Sequence, residues 1–463
     1  MTGIYGVILN AGRGAIIAQQ KAIEVTGHNI ANVNTLGYSR QIANLAANEP
    51  IQCGPGMVGT GVRATEIKRI YDHFLGLQIN NENQHLGRWE AEKGVLERVE
   101  IVFDESSGYG LNQAMSEFWN AWQDLANNPS GNVERVTLLA KSESMATTFN
   151  SMYSSLEKIQ RDIDTSISGT VEEVNLIARQ IADLNRKIVD VEITGQKSND
   201  YRDSRDLLLK ELSSMIDINT FENSDGSVTV SASGGKPLVE GLHSWDLSTE
   251  TNPNGFKDIV WVDNDGNTTN ITDDISGGKL KGWIEARDVT IPDYLNRLDN
   301  LAAKIISEVN ALHSNGFGLD GSTGNDFFSG TSASDMAMNQ VIVDDVNLIA
   351  AGSSADGVPG DNSNAIAIAN LQNELLMGGN TATFDDYFNS LISLVGSDVK
   401  EATANFDHQN SMVAHLDNYR ESISGVSLDE EMVNLIKFQH AYDAAAKLIS
   451  TVDELLNTVI NMV

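Results

Sequence analysis

The sequence predicts a mainly α-helical, elongated, multidomain rod with an inserted β-rich domain, its N- and C-terminal helices paired as a coiled coil. Three observations carry that prediction. Small or apolar residues repeat with heptad spacing at both ends of the 463-residue chain. A long stretch of the first half keeps a helical period, and turn-rich β-type sequence interrupts the helices between Asp217 and Gly282. At roughly 150 residues per domain the length suggests about three domains.

At the N-terminus Ile8, Ala11, Ala15, Ala18, Ala22, Val25 and Asn29 step alternately by 3 and 4. The stripe is mostly alanine, so a partner helix can approach closely while little area is buried. At roughly 25 cal/mol per Å² such a seam is weak against the entropy of ordering it. Asn32, Asn34 and Gly37 follow, residue types that tolerate left-handed backbone, and they predict the helix stop and turn. The C-terminus mirrors this pattern with Leu428, Met432, Leu435, Gln439, Tyr442, Ala446 and Ile449, then, after a three-residue skip, Val452, Leu456, Val459 and Val463. Ser427 with Glu430 three residues on reads as a capping box for this last helix. The plain alternative is a helical hairpin that closes a bundle. So thin a hairpin gains most if other copies cover its remaining faces.

Between the ends, Ile51–Ile70 is Gly-rich with β-branched residues and predicts short strands. Helices are expected over Asp72–Phe103, Leu111–Asn127, about Val133–Val191 (with a bend allowed at Gly169 and Thr170) and Tyr201–Met215. Short β runs separated by Ser-Asp-Gly, Asn-Pro-Asn-Gly and Asp-Asn-Asp-Gly turns make 217–282 a small β-rich domain. Helices return at Ile291–His313, with Pro292 in the first turn, at Ser363–Met377 and at Thr383–Ile423. The expected division is a terminal core of 1–60 with 424–463, a helical rod of 61–216 with 283–423, and an outer insert of 217–282.

The net charge is −33, which disfavours nucleic acid and anionic membrane surfaces as partners. It is uneven: residues 1–50 carry +1 and residues 427–463 carry −4, leaving −30 between them. Near-neutral ends can pack on copies of themselves while the acidic middle stays hydrated. No apolar run is long enough for membrane insertion. Met1–Gln20 lacks the basic region and apolar core of a cleavable signal peptide, which by itself favours a cytoplasmic protein and leaves open an export route that needs no such peptide. The lone Cys53 cannot form an internal disulfide.

Candidate chemistry is thin. Gly54-Pro55-Gly56-Met57-Val58-Gly59 matches a dinucleotide fingerprint by letter, but Pro55 occupies the tight turn and strand-like sequence follows where a helix is required. Asp263-Asn264-Asp265-Gly266-Asn267 resembles the start of a calcium loop. Its glycine comes two positions early, and its twelve-residue window closes on Asp274 instead of glutamate, so a hairpin turn is the stronger reading. The eight histidines show no paired metal spacing. Neither a nucleophile elbow nor a phosphate-binding loop is present. No catalytic residue, cofactor or metal is predicted.

Asn29-Ile30-Ala31-Asn32-Val33-Asn34-Thr35-Leu36-Gly37-Tyr38-Ser39-Arg40-Gln41 resembles the N-terminal signature of bacterial flagellar axial proteins, and its Gly-Tyr-Ser-Arg-Gln ending resembles the FlgK family, the first hook-associated proteins. Ser427 to Ile436, with Gln439-His440-Ala441-Tyr442, resembles the matching C-terminal motif. Asp203-Ser204-Arg205-Asp206 and the blocks from Gly278 to His313 resemble the same family, whereas the compact 217–282 insert resembles nothing nameable, so an outer domain found in some members is expected to be missing. The resemblance implies a non-enzymatic subunit that leaves the cell through the flagellar type III channel and polymerises at the hook–filament junction. Implied partners are further copies of the chain, the hook protein, the second junction protein FlgL and a FlgN-type export chaperone. The expected subunit interface comprises the stripes above with Asn32, Asn34, Gly37, Tyr38 and Arg40. Met432, Leu435, Tyr442 and Ile449 would serve the chaperone first and neighbouring subunits afterwards. In a lone chain the ends are expected to be largely disordered. Alternatives are a hook or distal-rod axial protein, or a secreted carbohydrate-binding protein or glycosidase that uses the insert.

Overall fold

The computed structural model describes residues 2–53, 56–105 and 110–462. Helix α1 (Thr2–Ala31) leads into β1 (Gln41–Ala47), β2 (Ile51–Cys53), β3 (Gly56–Val58) and β4 (Val62–Arg69). β1 and β4 form an antiparallel ribbon with an irregularity at Asn44/Leu45, and β2–β3 form the small hairpin between them. The ribbon lies on α1 at backbone distance. A Cβ on Gly14 would sit 2.8 Å from the Val62 carbonyl oxygen, and one on Gly61 (φ 100°) 2.7 Å from the Ala11 Cα. The small residues of α1 thus serve two neighbours, the ribbon and the last helix. Of the dinucleotide-like letters, Gly54 and Pro55 lie outside the described residues, and Gly56–Val58 is strand.

The rod begins with α2 (His73–Val102), α3 (Leu111–Asn127), α4 (Asn132–Glu192) and α5 (Asn199–Met215), within two residues of expectation. Asp72 caps α2 by accepting from the Phe74 and Leu75 amides at 3.0 and 3.2 Å. Helix α4 runs unbroken through Gly169 and Thr170 for 61 residues, about 90 Å. Its buried stripe, from Leu138 through Phe149, Ile163 and Val174 to Ile181, lines the main core.

The insert comprises two antiparallel sheets laid on the distal half of α4. The first is β5 (Ile218–Glu222), β6 (Val228–Ala232), β7 (Pro237–Glu240) and β8 (His243–Ser244), paired in sequence order. The second is β9 (Leu247–Thr251), β10 (Lys257–Val262) and β11 (Thr268–Asn270). Residues 263–267 are the β10–β11 hairpin turn, in which the Asp263 carboxylate accepts from the Asp265 and Asn267 amides. Two buried asparagines of α4 fasten the sheets. Asn175 exchanges two 2.7 Å bonds with the Leu247 backbone, while Asn185 takes the Val228 amide (3.0 Å) and donates to the carbonyls of Val228 and Gly241.

The β-type stretch ends before 282, because Gly278–Glu285 is helix α6. Gly278 sits at φ 75°, and a Cβ there would strike the Met215 carbonyl carbon at 2.3 Å. α6 passes through a π turn at Ala286–Thr290 into α7 (Ile291–His313), where the Ile291 amide reaches back five residues to the Ala286 carbonyl. That turn precedes Pro292, which has no amide to give. Beyond α7 come β12 (Phe328–Ser329), β13 (Ala337–Met338), α8 (Gln340–Asp344) and α9 (Ser363–Asn370). α9 ends seven residues before the expected Met377, passing into a 3₁₀ turn at Leu371–Asn373. α10 (Phe384–Ser424) starts from a capping box of Thr383 and Asp386, and α11 (Leu428–Asn461) closes the chain. Among the described residues no helix is long and apolar enough to cross a membrane.

At one end of the rod Phe118, Trp119, Trp122, Phe327, Phe328 and Phe384 form an aromatic cluster in which Trp122 and Phe327 pack on the buried His313. Its Nε2 accepts from the Ala350 amide at 3.0 Å, so Nδ1 carries the proton and donates to the Asn325 carbonyl at 2.7 Å. Burial holds this imidazole neutral, with its pKa lowered to about 4. An unfolded histidine titrates near 6.5, so unfolding takes up a proton below that pH. The contribution of His313 is complete above pH ~6.5 and is lost as pH falls towards 4, at roughly tenfold in the folding constant per pH unit. Subtracting the urea stability of the His313→Leu protein from that of the native protein should therefore leave a difference that shrinks from pH 7 to pH 4.5.

Candidate functional site

The three segments that carry the family-like motifs meet in one polar knot. It lies where α1 ends, where α11 begins and where α5 packs against the ribbon. α1 stops at Ala31, and the Asn32 side chain donates back to the His28 carbonyl at 3.0 Å. Of the expected left-handed positions only Gly37 is one, at φ 78°. Asn32 terminates the helix through its side chain and keeps ordinary backbone.

Asn29 is the centre of the knot and is 1% exposed. Its amide nitrogen donates to the Gln41 carbonyl (2.8 Å) and to the Glu431 carboxylate (3.1 Å), while its oxygen accepts from the Gln41 amide (2.9 Å) and the Tyr38 hydroxyl (2.8 Å). The full hydrogen-bonding capacity of one side chain thus joins α1, β1 and α11. Arg40 reinforces the link with ion pairs to Glu430 at 2.8 Å and Glu431 at 2.9 Å, and its amide donates to the Ser424 carbonyl. The expected capping box at Ser427 does not form. Ser427 is the N-cap residue but makes no side-chain cap bond, and Glu430 faces Arg40.

α5 supplies the other half of the knot. Asp203 accepts from the Ser39 amide (2.9 Å) and from Arg69 (2.8 Å), and Asp206 takes Arg69 at 2.7 Å. Asp200 accepts from the Gln41 side chain at 2.7 Å. Burial raises the Asp203 carboxyl despite Arg69 and Ser39. Burial, followed by the charges of Asp200, Asp203 and Glu431, drives the Tyr38 hydroxyl well above its ordinary range. Tyr38 therefore stays a neutral donor to Asn29. Sequence reasoning found the Asp203–Asp206 block but gave it no role. The available signal was carboxylates at Asp200, Asp203 and Asp206, a three-residue spacing that puts them on one helix face.

From the knot α1 and α11 run antiparallel, and a Cβ on Gly12 would stand 2.8 Å from the Ile449 Cγ1. Ala18, Ala22, Val25 and Asn29 are buried, and Ile8, Ala11 and Ala15 are half-buried. On α11 the covered residues are Glu431, Leu435, Phe438, Tyr442, Ala445, Ile449, Val452 and Leu456, an unbroken heptad with no three-residue skip. Met432, Gln439 and Val459 are exposed, and Ala446 flanks the seam, because the true stripe passes through Phe438 and Ala445. Val463 lies outside the described residues. Of the remaining expected interface residues, Asn32, Gly37, Tyr38 and Arg40 are half-buried in the knot and Asn34 is exposed. Both terminal helices are formed and paired in the single chain, which corrects the expectation of disordered ends. The contact is thin even so, with Val433, Ile436, Leu455 and Ile460 at least half exposed on α11.

This architecture, with the ends of the chain paired and everything else hung between them, is that of a flagellar axial protein. Residues 9–38 match the family described as flagella basal body rod protein, and residues 420–462 match the C-terminal region of the flagellar basal body rod FlgEFG proteins. Residues 96–328 match the helical domain of flagellar hook-associated protein FlgK. The chain is 32% identical over 98% of its length to flagellar hook-associated protein 1 of Bacillus subtilis (strain 168), covering 97% of that protein. It is 24% identical over the same share to its counterpart in Escherichia coli (strain K12), covering 99% of it. That second alignment spans 546 positions, so the relative carries segments this 463-residue chain lacks. The solved flagellar hook junction protein FlgK from Burkholderia pseudomallei shares the fold, with a TM-score of 0.68 at 15% identity over 75% of this chain and all of that one. The chain belongs to the FlgK family of flagellar hook-associated proteins.

Asn29→Ala would strand the Gln41 amide and carbonyl, the Tyr38 hydroxyl and the Glu431 carboxylate. Removing one buried partner costs about 1–3 kcal/mol for each group left unsatisfied. Limited proteolysis should cut this variant faster around residues 31–41 and 424–428, with 73–420 as resistant as in the native chain.

Proposed function

We propose that this chain is a non-enzymatic structural subunit that polymerises at the hook–filament junction and connects hook to filament. The single observation that carries the reading is the terminal pair: α1 and α11 close on each other with a narrow seam and leave large apolar side chains of α11 half exposed. A surface of that kind on both ends of one chain suits stacking with copies of itself. Membership of the FlgK family and the junction role printed for its solved relative support the same reading. A basal-body rod assignment rests only on the two terminal matches, whereas the FlgK helical domain spans half the chain between them.

In this reading the terminal unit comprises 1–60 with 424–463, extended through β4 to Arg69 because the ribbon packs on α1. The helical rod and the 217–282 insert project from it, with α6 assigned to the rod. Neighbouring copies cover the outer face of α11 and stabilise the thin pair. The hook protein and the second junction protein FlgL flank the layer, and a FlgN-type chaperone holds Met432, Leu435, Tyr442 and Ile449 before export through the flagellar type III channel. Met432 is open in the folded chain, whereas the other three are partly covered by α1, so the chaperone engages α11 before the pair closes.

A deletion strain tests this assignment. Hooks without filaments, with filament protein shed into the medium, is the expected phenotype, and normal filaments would overturn it. Re-expressing the Met432→Asp, Ile436→Asp double variant should leave filaments absent although the purified chain keeps native circular dichroism.

A further inference from the structure

A second cluster, remote from the terminal knot, sits where α2, α6, α7 and α10 cross in the rod. The crossing is at backbone contact, since a Cβ on Gly282 would stand 2.3 Å from the Arg88 carbonyl oxygen and 3.0 Å from the Ala91 Cβ. Glu92, one turn beyond Arg88, is enclosed there. Its side chain is 16% exposed, and its Oε2 is buried and accepts no hydrogen bond. From its own helix it faces Arg88, whose Nε is 3.9 Å away. That guanidinium is shared, because Nη2 is held by Glu285 of α6 at 2.9 Å, and Lys281 approaches Glu285 at 3.9 Å. α10 contributes Asp398 and Glu401, and the Tyr294 hydroxyl of α7 donates to Asp398 at 2.5 Å. The buried Oε2 of Glu92 thus accepts no hydrogen bond and has only the 3.9 Å approach of the Arg88 Nε, whose guanidinium Glu285 also holds, with the carboxylates of Glu285, Asp398 and Glu401 nearby.

We propose that Glu92 is a proton-operated latch: with its proton on, it seals the α2–α6–α10 crossing, and with the proton lost, the crossing loosens. Burial first, then the charges of Glu285, Glu401 and Asp398, outweigh Arg88 and push this carboxyl up to about 7. An unfolded glutamate titrates near 4.3. The stability contributed by the protonated group is therefore complete below about pH 4.5 and is lost as pH rises through 7. The direction is opposite to that of His313, so the two must be separated by variants.

Glu92→Gln keeps the shape of the protonated side chain and removes its titration. In full-length protein the ratio of native to Glu92→Gln unfolding constants, from urea curves between pH 5 and 8.5, should rise by roughly two orders of magnitude and level off above pH ~7.5. Glu401→Gln, which deletes one repelling charge, should move the midpoint of that rise to lower pH. A ratio that stays flat with pH, or that rises towards acid, overturns the latch. So does an unmoved midpoint in Glu401→Gln.

Discussion

A buried asparagine with no spare hydrogen-bonding capacity holds the two ends of this chain together, and the rest of the architecture depends on it. The α1–α11 seam is built of alanines because α1 must accept the β1–β4 ribbon on one side at backbone distance and the side chains of α11 on another. Close approach leaves little apolar area to bury, so hydrophobic stabilisation is small and register must come from elsewhere. Asn29 supplies it. A slip of one residue in α11 would take Glu431 away from the Asn29 amide and from Arg40, leaving buried polar groups unpaired, a penalty the thin seam cannot offset. Arg40 adds charge, and Asp203 and Arg69 fix the angle at which the pair leaves the rod.

The rod solves a related problem by similar means. A single helix of 61 residues would bend if it packed only at its ends. Asn175 and Asn185 lock the two small sheets to its distal half, and Arg205, itself fully buried, ties α5 to the Asn185 oxygen at 3.1 Å. Glycines at 87 and 282 bring α5 and α6 against α2, and Gly278 brings the start of α6 against the end of α5, without intervening side chains. Polar side chains set positions along the molecule, while the apolar core between them supplies most of the cohesion.

Helical period and turn chemistry made most of this legible in advance: α3 and α7 matched residue for residue, and the Asp263 loop was readable as a turn because its glycine is misplaced for a metal. The errors have specific causes. A heptad traced through Gln439 and Ala446 looked regular, yet sequence alone could not rank it against the neighbouring stripe through Phe438 and Ala445, which buries an aromatic ring. Glu430 fitted a cap, but an arginine 390 residues away competes for it more strongly. The start of α6 was not legible because Gly278 needs a positive φ and a close approach to the Met215 backbone, neither of which leaves a periodic trace. The knot itself was recognisable as three motifs but not as one place, since convergence in space leaves no periodic trace.

The Asn29–Glu431 contact spans 402 residues. Closing a loop of that size from an unstructured chain costs several kcal/mol in entropy, more than this seam alone can repay. The folded rod shortens that loop, because Asp203 and Asp206 on α5 receive Ser39 and Arg69 beside the clasp. The clasp therefore needs both extremities of the chain in place, and no shorter stretch of the molecule can close it.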